Sequence, residues 1–300
     1  MAATQASDVV FVPKVWSDHI TAYFNKKLVF GAFALKNDQL TRSPGETVSF
    51  PYFKAIGDAE EPAENADLTV SALADDAFTA TVKEVGKAVG FTGKSLRKSA
   101  ADRDTIFDEA QNQMARVIAE KVDADIITEI NSNGNYTAGL VGTAFATGAC
   151  TAANLLTGRT LAFGDRGDEA EVIFMHSLHF LSMMKDSGAG FIKADANDPM
   201  YLVKGFMGRI FGAAVVVTDS VPAGGTVDGK KTFYSFTCKP KSYGFIVAEE
   251  IMFEQDRDIL ARQSIITATQ WYAVKGFHGK VHADDKRVCR NLFVTEVAAA

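Results

Sequence analysis

Ala88 to Ser95 reads AVGFTGKS, the spacing of a loose phosphate-binding loop: Ala or Gly, four residues, then Gly-Lys-Ser. In such a loop the backbone amides cradle phosphate oxygens, Lys94 neutralises them and Ser95 holds magnesium. The run AVVVTD, Ala214 to Asp219, could then supply the second magnesium-coordinating acid at the end of a strand. That chemistry needs a buried strand before the loop and a helix opening at the lysine. Here VKEVGK is charged like an exposed strand, and the next helix start falls at Asp102. An ordinary loop is therefore expected, with a phosphate-loop ATPase as the reading from an enzymatic class.

Two histidine pairs have spacings that could share a metal ion. His176 and His179 lie three apart on an expected helix, and His278 and His282 lie four apart near a turn. Neither pair encloses the glutamate of HExxH, and no cysteine is close enough to complete four ligands, so structural or surface histidines are expected. Cys150, Cys238 and Cys289 are an odd set at spacings that fit neither a disulfide framework nor a zinc site, and buried reduced thiols are expected. Arg166-Gly167-Asp168 spells an adhesion tripeptide inside GDRGDEAE, which a solvated acidic loop explains. No serine, cysteine or carboxylate pair stands in a nucleophile setting such as GxSxG. No catalytic, metal-ligating or cofactor-binding residue is expected, and no cofactor.

The chain that must position these groups has 300 residues, 47% of them hydrophobic and 23% charged, enough for one elaborate domain or two modest ones. Its 31 basic and 37 acidic residues leave a formal charge of -6, so no broad attraction for a phosphate backbone is expected. The longest apolar run, Ile210 to Val217, is far short of the ~18 residues that a membrane span needs, and no secretory leader is expected at the N-terminus.

Trp16, Ile20, Phe24 and Leu28 fall four apart after Pro13, which predicts a short amphipathic helix following an extended lead. SPGE then supplies turn residues, and TVSFPYF reads as an edge strand because Pro51 cannot donate to a ladder. An acidic arm follows, with Asp58, Glu60, Glu61, Glu64 and Asp67 against the single Lys54, before FTATVKEVGKAVGF, Phe78 to Phe91, returns as strand. Two strands joined by so long an excursion mark a functional or disordered loop. Asp102 to Asn131 is the strongest helix, with acidic residues in its first turn, NSNGN at its end, and Met114, Ile118, Val122, Ile126 and Ile130 descending in steps of four. Beyond Gly142 the expected order is a helix over Ala152 to Phe163, strand EVIFM, a helix capped by Ser177, and strand RIFGAAVVV. SIITATQWYAVKGFHGKV and RVCRNLFV look like a closing hairpin around HADDK.

In this order the pieces resemble a known family, the major capsid proteins of tailed bacteriophages, which share the fold first seen in phage Hong Kong 97. The likeness is carried by PKVWSDHITAYFNKKLVF, PGETVSFP, FTATVKEVGKAV, DEAQNQMARVIAEKVDADIITEI, GRIFGAAVVVTDSVP and QWYAVKGFHGKVHADDKRV, and it covers nearly the whole chain. The resemblance implies an α+β, Hong Kong 97-type major capsid fold. Residues 1–40 would be its N-terminal arm and 41–92 its extended β-hairpin loop. Residues 93–141 would form the peripheral domain, with a spine helix over 102–131. Residues 142–250 would form the axial domain, and 251–300 the return to the peripheral sheet.

The same resemblance implies no enzymatic duty. The partner would be the chain itself, as hexamers and pentamers of an icosahedral shell that encloses genomic DNA without reading its sequence. Portal, scaffolding and decoration proteins are further partners of such shells, no membrane is involved, and assembly would occur in the host cytoplasm before the protein resides in the virion. A nanocompartment shell of the encapsulin kind is the alternative within the fold. Some members weld neighbours through a lysine of the extended loop, and Lys54 is the lysine near the tip here, though no matching partner motif accompanies it. The expected inter-subunit contacts are Trp16, Phe24 and Leu28 on the arm, and Phe50 and Phe53 on the loop strand. Asp58, Glu60, Glu61 and Glu64 at the acidic tip would face Arg97, Lys98 and Arg103 of a neighbour.

Overall fold

The computed structural model describes residues 28–37, 45–54, 59, 61, 67–68, 70–94, 103–132, 134, 136–139, 149–164, 170–185, 191–193, 205–227, 229–277 and 287–298. Along them run β1 (Leu35–Asn37), β2 (Thr47–Phe53), β3 (Asp75–Thr81), β4 (Lys83–Thr92) and helix α1 (Arg103–Ile130). Next come β5 (Thr137–Ala138), α2 (Ala152–Phe163), β6 (Val172–Met175), α3 (Ser177–Lys185), β7 (Ile192–Lys193), β8 (Phe206–Ile210) and β9 (Ala213–Val217). The chain closes with β10 (Ala223–Val227), β11 (Lys230–Cys238), β12 (Tyr243–Asp258), β13 (Gln263–Gly276) and β14 (Val288–Ala298). The result is α+β and mostly sheet.

Helix α1 is about 42 Å long at ~1.5 Å per residue. Met114, Ile118, Val122, Ile126 and Ile130 are buried along one side of it, while Arg116–Glu120 and Lys121–Asp125 pair one turn apart. It packs on a four-stranded sheet of order β1-β12-β13-β4. A second, eight-stranded sheet has the order β5-β14-β11-β6-β9-β8-β7, with β10 beside β11, and α2 and α3 lie against its β14. Phe174, Val216 and Phe236 of this sheet join Ile118, Ile126, Phe245 and Tyr272 in one continuous core, so the two sheets share their largest apolar contact. A separate two-stranded ribbon, β2 with β3, opposes Thr47 to Thr81 and Phe53 to Asp75.

Four expectations are corrected. Phe78 to Phe91 is not one strand: Val82 interrupts it and donates its N–H to the Glu46 carbonyl, so β3 serves the ribbon while β4 joins β13. RIFGAAVVV folds as a hairpin, because Phe211 and Gly212 take φ of 48° and 79°, the paired positive values of a tight two-residue turn. Ser177 does not cap α3: His176 Nδ1 accepts the Leu178 N–H at 3.1 Å, and Asp219 accepts from the Ser177 hydroxyl at 2.6 Å.

The last correction concerns the closing strands, which do not form a hairpin. β13 pairs with β12 through the turn at Ile259 to Arg262, whereas β14 crosses to the other sheet between β11 and β5. The burial explains the split. β13 alternates between half-buried and buried over residues 263–270, as suits a sheet with one covered face, while 291–295 are all buried and need an interior place. β12 begins at Tyr243, so the chain re-enters the four-stranded sheet before residue 250.

Candidate functional site

The described chain enters at an elbow. The Asp123 carboxylate, buried in the C-terminal third of α1, accepts the N–H groups of Val29 at 2.7 Å, Phe30 at 3.1 Å and Gly31 at 3.2 Å. Converging backbone donors of this kind form a nest that suits an anion. The Tyr243 hydroxyl donates to the Phe30 carbonyl at 2.8 Å, and the Phe30 ring lies 4.5 Å from that of Phe174. The elbow therefore ties α1, the first residue of β12 and strand β6 of the eight-stranded sheet at one point, and fixes where any preceding chain leaves the body.

Next to it, Asp125 is the hub of a polar cluster. Lys83 on β4 approaches it at 2.7 Å and Lys121 at 3.0 Å, and the Tyr272 hydroxyl donates to it at 2.5 Å. Burial alone would raise its carboxyl, yet hydrogen bonds from Lys83, Tyr272 and Lys121 hold it below its ordinary range. Glu129 serves the same seam, pairing with Lys275 at 3.4 Å and accepting the Gly276 N–H. These contacts orient the spine-like helix on its sheet.

The ribbon is the second feature. Its root is seated on its own subunit: Val48 and Ala80 pack with Ile246 and Ala273, and the Phe50 and Phe78 rings each lie 5.2 Å from Phe277. Beyond the root Phe53 is 65% exposed and Val70 is 95% exposed. Lys54 ends the pairing, donating its N–H to Ala74 while its ammonium meets Asp76 at 3.2 Å. That ion pair lies between two half-exposed groups and contributes little.

These placements sort the expected contact residues. Leu28 is 3% exposed and belongs to the subunit's own core, a correction that follows from the Asp123 nest drawing residues 28–31 inward. Phe50 is half-buried on Phe277, so it too is chiefly an internal contact, whereas Phe53 remains on the surface. Glu61 and Asp67 are exposed. Trp16, Phe24, Asp58, Glu60, Glu64, Arg97, Lys98 and the Arg103 side chain lie outside the described residues, as do Arg166 to Asp168, His278 and His282. Asp123 carries no local mark in the sequence, since Asp123 and Asp125 look like solvated acids beside the apolar stripe of Val122, Ile126 and Ile130.

The enzymatic candidates separate. β4, ahead of Lys94, is an edge strand paired antiparallel to β13, and Asp219 follows β9 in the other sheet, where it holds Ser177. Gly93 and Lys94 turn helical directly after β4, ahead of the expected helix start at Asp102, but a phosphate loop needs a buried strand before it and β4 is largely exposed, so this arrangement does not suit one. His176 stacks on Phe233 at 3.8 Å, and the buried His179 donates its Nε2–H to the Phe293 carbonyl at 3.3 Å. Among the described residues no group of His, Cys, Asp and Glu is arranged to hold a metal ion. Cys150, Cys238 and Cys289 are buried free thiols, and desolvation pushes the first and last up to about 12.

Comparison with known proteins gives a consistent result. Residues 76–291 match the family model described as phage capsid protein. The major capsid protein of Staphylococcus phage phiMR11 is 28% identical over 221 residues, covering 73% of this chain and 76% of that protein. The capsid of Ralstonia phage GP4 superposes with a TM-score of 0.68 at 12% identity, over 93% of this chain and 92% of that one. The capsid asymmetric unit of cyanophage Pam1 gives 0.65 at 17% identity, over 88% of each chain. At such identities the structural likeness is one of fold.

Proposed function

This chain belongs to the phage capsid protein family and forms the shell of a phage head, and on that premise we propose that it assembles in the Hong Kong 97 manner, as hexamers and pentamers closed into an icosahedral particle around double-stranded DNA. Residues 1–27 serve as the arm, 41–81 as the extended loop, α1 as the spine of a peripheral domain whose sheet includes β1 and β4, and 142–242 with β14 as the axial domain. The observation that carries the reading is the ribbon. A two-stranded ribbon with Phe53 in solvent, leading to a Val70 that is also in solvent, is marginal alone in water, and a neighbouring subunit completes its burial.

The acidic tip, with Asp58, Glu60, Glu61 and Glu64, then docks near Arg97, Lys98 and Arg103 of an adjacent subunit. Exposed pairs of this type contribute ~0.2 to 1 kcal/mol each and set register more than strength. The formal charge of -6 suits a container that releases its genome. Electron microscopy of the purified chain tests the reading: uniform closed particles are expected, and a stable monomer at assembly concentrations overturns it.

A further inference from the structure

The four-stranded sheet has one face under α1. Among the described residues the other face is covered by the ribbon root, at the end that holds Ile246 and Ala273. From there to the turn at Ile259, among the described residues, the outward positions of β12 and β4 are exposed and those of β13 between them half-buried or exposed. Alternation and register place five exposed carboxylates on this face, Glu249, Glu254, Asp256 and Asp258 from β12 and Glu84 from β4. Lys83 and Lys87 alternate to the α1 side, where Lys83 meets Asp125, so no lysine or arginine occupies these outward strand positions. Between the carboxylates Trp271 is 39% exposed and Met252 is 46% exposed. Gly86, Ala88 and Gly90 keep the β4 side low, making a shallow apolar floor with an acidic rim.

We propose that this face seats the N-terminal arm, residues 13–27, of a second copy of the chain. The proposal rests on the shell reading above. Charge matches first: the segment PKVWSDHITAYFNKK carries Lys14, Lys26 and Lys27 against Asp18 alone. The acidic tip of the extended loop, the other obvious occupant, meets like charge here. Apolar pattern matches next, since Trp16, Ile20 and Phe24 at steps of four give one helix face to set on Trp271 and Met252.

Length also fits. From Ile265 to Trp271 the open face is about 20 Å long at ~3.3 Å per residue. A helix from Lys14 to Lys27 is about 20 Å long at ~1.5 Å per residue. The occupant is a second copy because Asp123 holds residues 29–31 of the same chain on the α1 side of the sheet, so its own arm starts from the opposite face.

Disulfide trapping in finished shells tests this directly. Lys26→Cys is combined in turn with Glu84→Cys, Glu249→Cys, Glu254→Cys and Asp256→Cys, and the shells are oxidised and run on a denaturing gel. The three native thiols are buried and stay silent. A ladder of covalent multimers is expected from at least one pair; a covalent monomer, or no bond in any pair, overturns the proposal. Separately, Glu254→Lys with Asp256→Lys raises the concentration needed for assembly about ten-fold, equivalent to ~1.4 kcal/mol per subunit, and adding Lys26→Glu with Lys27→Glu restores it. Unchanged assembly in the reversed face, or no restoration, counts against the seat. Failure of the unaltered chain to form particles counts instead against the shell reading.

Discussion

The carboxylate of Asp123 accepts the backbone N–H of Phe30 at 3.1 Å across 93 positions of sequence, in the C-terminal third of a helix where the side chains one turn either side are apolar. With Val29 and Gly31 donating to the same group, one side chain fixes three consecutive residues. An Asp123→Ala subunit leaves those donors buried without their acceptor, at a cost of ~1 to 3 kcal/mol for each group that finds no water. Urea unfolding should show a midpoint well below that of the unaltered chain, and Asp123→Asn should fall between, because its amide keeps one acceptor oxygen. Equal midpoints for all three would show that the nest contributes no stability.

Surface and core positions of the ribbon should respond differently. Phe53→Ser alters a side chain that is 65% exposed, so subunit stability should stay within about 0.5 kcal/mol while particle yield falls. Phe78→Ser removes a buried ring packed on Phe277 and should cost ~3 kcal/mol or more of stability. Thermal unfolding of the subunit beside particle yield separates the two. A Phe53→Ser chain that assembles as well as the original would remove that residue from the interface.

Acid should weaken the subunit through His179. Burial first, and then the neighbouring His176, depress its imidazole to about 4 from an ordinary 6.5. The unfolded chain therefore takes up a proton below pH 6.5 that the folded chain refuses until about 4. Stability is complete above the upper value, falls through that window and levels off below it, by about 3 kcal/mol in all at ~1.36 kcal/mol per unit. His179→Gln retains an amide donor for the Phe293 carbonyl without a titrating ring, and unfolding midpoints across this range should show a flatter slope.

Local patterns made the helices legible in the sequence. α2 spans the expected Ala152 to Phe163 because Thr151 caps it and Gly164, at φ 62°, ends it. α1 spans Arg103–Ile130, within a residue of expectation at each end. The partners of strands were not legible. β13 and β14 look alike as β-rich runs, and only the need of β14 for cover on two faces sends it to the other sheet. The Trp16-to-Leu28 stripe shows an apolar face without saying whose core it fills, and Leu28 proves internal. Asp123 left no local mark, since its donors lie 92 to 94 residues away.

The placement of Leu28 determines where the arm can be cut. A deletion of residues 1–35 removes Leu28, Val29 and Phe30 from the core and strips Asp123 of its donors, leaving a buried carboxylate without them. That subunit should be insoluble or destabilised by ~3 to 5 kcal/mol. A deletion of residues 1–27 stops before the elbow, so the subunit should remain folded and soluble yet fail to close shells. Circular dichroism melting and sedimentation of the two truncations distinguish these outcomes. Matching melts would mean that the elbow is dispensable to the fold, and normal shells from the shorter deletion would mean that the arm takes no part in assembly.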